Sequence, residues 1–291
     1  MEFTTAEELL ALCGSENITI ADVMRRREST EGELDPQTVE EKMKKALDIM
    51  RDSAHKPMSE ILPSRGGMIG GEAAKLSAHA AAGRSICGSV LTKALIYSQA
   101  VPEVNASMGV IVAAPTAGSS GVLPAVLFAL EEEFGLDEAT VLNGLFTAGA
   151  IGCLLMRNAS VAGAEAGCQA EVGSASAMAA AAVAMFGGSP QQSLDAASIA
   201  LSNMLGLVCD PIAGLVEAPC QSRNAAGAAN ALTSAESVLS GIKAVVPFSE
   251  MAEAMYKVGK RLAPELRETA LGGCAATPTG CAYKCSIFGC K

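Results

Sequence analysis

Ten cysteines stand at positions 13, 87, 153, 168, 209, 220, 274, 281, 285 and 290 of a 291-residue chain, and three of them sit where a sulfur could do chemistry. Cys168 lies among Gly163, Gly167 and Gly173, so the backbone there can approach a ligand closely. The Ala-rich run Ala175 to Met185 reads as a buried helix just beyond it, and the positive end of a helix favours a thiolate. Cys209 and Cys220 bracket Pro211, Gly214 and Pro219, which exclude a regular helix between them. The chain must loop there, and a loop can turn both sulfurs toward one point. Gln221, Ser222, Arg223 and Asn224 follow at once. The pair suits a metal better than Cys168 alone, yet its spacing matches neither zinc fingers nor common ferredoxins. Buried, inert thiols are the plain alternative for each of the three.

Two further segments carry polar chemistry. Asn105 to Gly109 and Pro115 to Pro124 place Asn105, Ser107, Thr116, Ser119 and Ser120 between glycines, ahead of an expected helix start. Exposed N–H groups beside small hydroxyls make a carboxylate cradle; they also make an ordinary tight turn with capping serines. The C-terminal segment holds Cys274, Cys281, Cys285 and Cys290 among Gly272-Gly273 and Thr277-Pro278-Thr279-Gly280, and is expected to be loop-like. Such a tail could reach a metal, hold zinc of its own or do nothing. The two histidines, His55 and His79, sit in no hydrolase-like setting, and no phosphate loop or dinucleotide fingerprint occurs.

The elements that must position these residues are helical. Thr5 and Glu8 form a capping box, with Gly14 a candidate stop. Asp35-Pro36 opens a helix with Val39, Met43, Ala46, Leu47 and Met50 on one face. Asp137 caps a run through Arg157, Ser189-Pro190 starts another after Gly187-Gly188, and Pro247 with Ser249 precedes a helix carrying Met251, Met255 and Val258. Gly109 to Val112 could be extended, but no alternating series supports a sheet. The fold class is mostly α: a compact helical catalytic domain of Gly/Ala-rich, close-packed helices. We expect a helical lead-in over 1–55, a catalytic domain over 56–270 and a cysteine-rich tail over 271–291.

Composition supports this. Half of the residues are hydrophobic, only 3% are aromatic and none is Trp, so most of the core must be built from small side chains. The net charge of −10 repels nucleic acid and anionic membrane, and neither is expected as a partner. Val104 to Leu130 and Val172 to Leu194 are uncharged but interrupted by polar residues and prolines, and the N-terminus is acidic where a signal peptide is basic. A cytoplasmic location follows as an expectation, and in a reducing compartment the cysteines favour metal or catalysis over disulfides.

Taken jointly, Ser64 to Gly71, Asn105 to Pro124, Gly163 to Ala175, Cys209 to Asn230 and Leu271 to Gly280 resemble the iron–sulfur-dependent L-serine dehydratases, specifically the α chain of the two-chain form. The resemblance covers most of the chain from about residue 55. It implies a mostly helical catalytic domain and a [4Fe–4S] cluster held by Cys168, Cys209 and Cys220. It also implies that a C-terminal cysteine, best matched by Cys290, fills the cluster's open site when substrate is absent. Three thiolates on four irons leave one iron free as a Lewis acid for the serine hydroxyl. Loss of water and of the α-proton leads to pyruvate and ammonia, an amino-acid breakdown that can feed gluconeogenesis.

The family's base points to a histidine on a separate β chain, with His79 the fallback here. Thr116, Ser119 and Ser120, with Asn105 and Ser107 nearby, are expected at the L-serine carboxylate; Lys75 and Arg223 are further candidates. Beyond L-serine and a β chain, a homo-oligomer is possible. The rival reading is a non-catalytic iron–sulfur redox or oxygen-sensing module with four protein ligands. A structural zinc site or a neighbouring open-iron enzyme such as a cysteine desulfidase are the others.

Overall fold

The computed structural model describes residues 2–289; Met1, Cys290 and Lys291 lie outside that range. Among the described residues there are thirteen α-helices and no strand, the sole β-type pairing being an isolated parallel bridge between Cys209 and Arg267. The mostly helical fold class read from the sequence is the one observed.

Helix starts follow their local chemistry. In α1 (Ala6–Glu16) the Thr5/Glu8 capping box is present, although the helix runs past Gly14 to close at Asn17 in the left-handed conformation. α2 (Ile20–Glu31) repeats the device with Thr19 and Asp22. α3 (Pro36–His55) begins on the Asp35 cap with proline in its first turn. α4 (Glu72–Ala81) and α5 (Gly88–Ala106) follow, then a loop over 107–121, α6 (Val122–Phe134) and α7 (Glu138–Asn158), capped by Asp137. After the single turn α8 (Gly163–Ala166), one helical run changes pitch: a π turn over Gln169–Gly173, α9 (Ser174–Ala180), and a 3-10 segment over Ala181–Phe186. The helix expected over Ala175 to Met185 therefore begins earlier, directly after Cys168.

α10 (Pro190–Met204) carries the Ser189/Gln192 capping box, and α11 (Cys220–Leu239) starts on Cys220 itself. In α12 (Phe248–Gly259) Ser249 sits inside the first turn rather than before it. The tail differs most from its expectation. Thr277 accepts from the Gly280 N–H and Pro278 occupies the first turn, so the supposed loop is an N-cap opening α13 (Pro278–Phe288). Gly109 to Val112 is irregular and unpaired, not a strand.

α5 packs along α6 and α11, and α11 packs on against α9 and α10; α7 lies beside α2 and α9. Small residues permit these approaches. A Cβ on Gly227 of α11 would come 2.7 Å from Val172 and 3.1 Å from Val122, and one on Gly121 would come 2.7 Å from the Ser98 carbonyl oxygen. One contiguous core results, from Phe3 and Leu9 through Leu123 and Leu155 to Met255, with residues of α1–α3 included. α7 is the one described helix long and apolar enough to cross a membrane, and 67% of its apolar window is buried within this fold.

Candidate functional site

Cys168, Cys209 and Cys220 reach one buried region from three segments. Gly167 turns the chain into Cys168 at φ +79°, with no space for a side chain: a Cβ would lie 2.8 Å from the Leu207 carbonyl oxygen. Gln169 then stitches this turn to the approach to Cys209. Its N–H donates to Leu207 O at 2.8 Å, and its side-chain oxygen accepts from the Gly206 N–H at 2.8 Å. Cys209 is held on its other side, donating to Leu266 O at 2.9 Å while its carbonyl accepts from the Glu268 N–H at 2.7 Å. The loop onward to Cys220 closes through Ile212 N–H to Ala218 O at 2.9 Å and enters α11 through a cis Ala218–Pro219 bond.

Two buried carboxylates, Glu217 and Glu103, fasten this loop and its helix to the rest of the molecule. Glu217 accepts from Ser64 Oγ at 2.8 Å, Gly66 N at 2.6 Å and Met68 N at 3.0 Å, so the glycine-rich segment 64–71 wraps around it. Glu103 of α5 accepts from the Gly71 and Ala73 N–H groups at 2.9 Å each and from Gln221 in the first turn of α11. Burial pushes its carboxyl above the usual carboxylate range, more than those backbone donors lower it.

The three thiols are electrostatically distinct. A hydrogen bond from Cys209 lowers the Cys168 thiol, against its burial. The same contact, with burial, raises Cys209. Burial and the neighbouring Cys168 thiolate push Cys220 up to about 12. One negative charge on Cys168 therefore discourages ionisation of the other two, a conflict that a bound cationic group would relieve. Arg223 lies beside Cys168 and is itself engaged, 2.6 Å from Asp210 and donating to Val208 O at 2.8 Å. Among the described residues no three His, Cys, Asp or Glu side chains converge tightly enough to cage a single ion.

The hydroxyl loop meets this region at Glu171. Thr116 Oγ1 donates to Glu171 Oε1 at 2.6 Å, and the other carboxylate oxygen lies 3.8 Å from Cys209 Sγ. A Cβ on Gly118 would sit 2.9 Å from Glu171 Oε1, and one on Gly163 would sit 2.7 Å from Oε2 and 2.9 Å from Cys209 Sγ. Two glycines from separate segments thus make room for one carboxylate between loop and thiol. Burial raises the Glu171 carboxyl.

Ser119 and Ser120 are buried, with Ser119 Oγ 3.0 Å from Thr116 Oγ1 and Ser120 Oγ donating to Ala117 O at 2.8 Å; both hydroxyls brace their own loop. Asn105 Nδ2 donates to Ala117 O at 3.4 Å, and Ser107 Oγ bonds back to Val104 O. Asn224 ties loop to α11, accepting from Gly121 N and donating to Gly118 O and Cys220 O.

Other sequence candidates lie apart from the thiols. His79 is exposed on the last turn of α4, and Lys75 is exposed on the same helix, 3.4 Å from Glu72. Cys274 sits near the site's edge, its N–H donating to Asp210 Oδ2 at 2.6 Å. Cys281 is exposed, and Cys290 falls outside the described residues. The residues that sequence reasoning passed over are Glu171, Glu217 and Glu103. Each stands among small and apolar residues, which hints at burial, but nothing local in the sequence says what it would meet.

The sequence profile of the serine dehydratase alpha chain family matches residues 15–275. The chain belongs to that family. This alpha chain is 46% identical over 288 residues to a Bacillus subtilis (strain 168) protein named probable L-serine dehydratase, alpha chain, covering 99% of one and 96% of the other. It is 47% identical over 277 residues to the L-serine dehydratase alpha chain of Peptoniphilus asaccharolyticus, 95% of each. An L-serine dehydratase of Helicobacter pylori (strain ATCC 700392 / 26695) is 35% identical over 283 residues, which span 95% of this alpha chain but 62% of that longer protein.

Proposed function

We propose that this alpha chain is the catalytic part of a two-chain L-serine dehydratase that converts L-serine to pyruvate and ammonia in the cytoplasm. Its cofactor is a [4Fe–4S] cluster held by Cys168, Cys209 and Cys220. The reading is supported by three buried thiols that perturb one another's ionisation, with Cys209 near the Thr116–Glu171 contact, in a chain of this family. The donor chemistry fits: three sulfurs whose ionisations oppose one another, a repulsion that a cationic group bound among them would relieve. When bound, such a cluster supplies an iron without a protein ligand, a Lewis acid for the departing hydroxide.

The chain's own residues bind and orient. The Thr116–Ser120 loop, with Asn105 and Ser107 alongside, offers the N–H groups of Ala117 and Gly118, which have no hydrogen-bond acceptor among the described residues, to the substrate carboxylate. Asn224 fixes that loop against the first turn of α11, so carboxylate and thiols keep one spacing. Arg223 balances the charge of Cys168. The α-proton base is assigned to the β chain. His79 is the alternative within this chain, and unchanged kcat in His79→Ala removes it.

The test is anaerobic reconstitution of the full chain with iron and sulfide, followed by spectroscopy and a pyruvate assay with and without the β chain. The expected result is a cluster lost in each of Cys168→Ser, Cys209→Ser and Cys220→Ser, a spectrum altered by L-serine, and turnover that needs the β chain. A fully ligated cluster indifferent to amino acids would mark a sensor instead. Zinc without iron or sulfide would mark a structural site, and full activity of the alpha chain alone would remove the two-chain assignment.

A further inference from the structure

Three of the carboxylates near the thiols have their oxygens filled by the fold. Glu217 accepts from Ser64, Gly66 and Met68, and Glu103 from Gly71, Ala73 and Gln221. Asp210 takes Arg223 and the Cys274 N–H. Glu171 is different. Its Oε1 accepts from Thr116, but among the described residues the one donor to Oε2 is the Cys209 thiol, 3.8 Å away. A thiol is a weak donor, and a cysteine that binds metal has given its proton up. With Cys209 serving as a ligand, Oε2 is a carboxylate oxygen with no donor from the chain.

The surroundings leave this carboxylate without a cation. Neither Glu171 nor Glu268 makes an ion pair among the described residues, while Arg223 is engaged by Asp210 and Val208 O. Glu268 is half-buried and donates its N–H to Cys209 O at 2.7 Å, and its charge acts on Glu171 and Cys209 alike. Glu171 is itself partly exposed, so a small solute can reach it.

Its position suits an α-amino acid. A Cβ on Gly118 would lie 2.9 Å from Oε1, which by backbone dimensions puts the Gly118 N–H within ~6 Å of that oxygen. The proposed function gives this N–H, with that of Ala117, to the substrate carboxylate. An α-amino acid bears its carboxylate and its ammonium on one carbon, so a molecule seated on the loop brings its ammonium to Glu171. Thr116 fixes the orientation of the Glu171 carboxylate, and lone pairs remain on both oxygens. A side chain at Gly118 or Gly163 would press on it from either side.

We propose that Glu171 binds the α-ammonium group of the substrate and thereby selects amino acids over hydroxy acids that lack the amine. This rests on the proposed function, which supplies an amino acid as the substrate, and it names the residue that reads the amine.

The test compares L-serine with 3-hydroxypropanoate, the same molecule without its amine, on the reconstituted holoenzyme with its β chain. Affinity is read from the change each compound makes in the cluster spectrum and from competition between the two, so turnover is not needed. The wild type should prefer L-serine by roughly tenfold or more. Glu171→Gln keeps an acceptor for Thr116 and removes the charge. It should weaken L-serine by roughly tenfold or more and leave 3-hydroxypropanoate within about threefold, cancelling the preference. Should Glu171→Gln hold no cluster, Glu171→Asp decides, because it keeps the charge but withdraws it by one methylene. It should narrow the preference for L-serine several-fold. Equal weakening of both compounds marks a merely structural role and overturns the proposal, as does an unchanged preference. A wild type that binds the two compounds equally overturns it as well. A wild-type spectrum indifferent to L-serine counts against the proposed function itself, and the assignment of Glu171 falls with it.

Discussion

Ser119 and Ser120 show how a residue can matter to a ligand without pointing at it. Each hydroxyl is spent on its own loop, and Thr116 is spent on Glu171. What the loop has left to offer is backbone N–H groups, whose direction these hydroxyls fix. Ser119→Ala and Ser120→Ala should therefore raise KM for L-serine by roughly tenfold, about 1.4 kcal/mol, with a smaller change in kcat. Steady-state kinetics of the reconstituted complex measures this, and an unchanged KM in both takes the loop out of the substrate site. Sequence spacing singled out these serines and the three cysteines as chemistry-bearing. It gave no weight to Glu171, because only the fold brings a carboxylate 55 residues further along the chain into contact with Thr116 and near Cys209.

Between elements, Glu217 and Glu103 act as clasps. Glu217→Ala would strand three donors, Ser64 Oγ, Gly66 N and Met68 N. A loss of about 1–3 kcal/mol is expected, visible as a lower melting temperature, with faster proteolysis of the 64–71 segment than in the wild type. Glu103 makes a pH-dependent contribution. Its carboxyl is raised in the fold by burial, so the folded chain holds this proton more tightly than the unfolded chain. The stabilisation is complete below the unfolded value near 4.5 and declines as pH rises through the folded one. Melting curves of wild type and Glu103→Gln should thus show the wild type losing ground to the variant between acid and neutral pH. A gap that widens in favour of the wild type would contradict the sign.

For the molecule as a whole, the shortage of aromatics is answered by close helix approach. Gly227→Ala gains up to about 1 kcal/mol of helix propensity. It drives a Cβ to 2.7 Å from Val172, which lies in the helical run just after Cys168, and overpacking of that kind costs about 1–3 kcal/mol. A net fall in melting temperature is expected in calorimetry, larger for Gly227→Leu. The all-helical class and most helix starts were legible because caps such as Thr5, Asp35, Asp137 and Ser189 act within one turn of sequence. The tail was misread because Thr277-Pro278-Thr279-Gly280 serves a helix start as readily as a loop. The changes of pitch after Cys168 and the clasps depend on contacts between distant segments, which no local pattern encodes.

The electrostatic coupling of Cys168 and Cys209 carries a liability of its own. If nothing is bound between these sulfurs, dissolved oxygen can take two electrons from the neighbouring pair and join them as cystine, itself going to peroxide. Aged in air, the apoprotein would then be sealed against refilling until a dithiol reopened it.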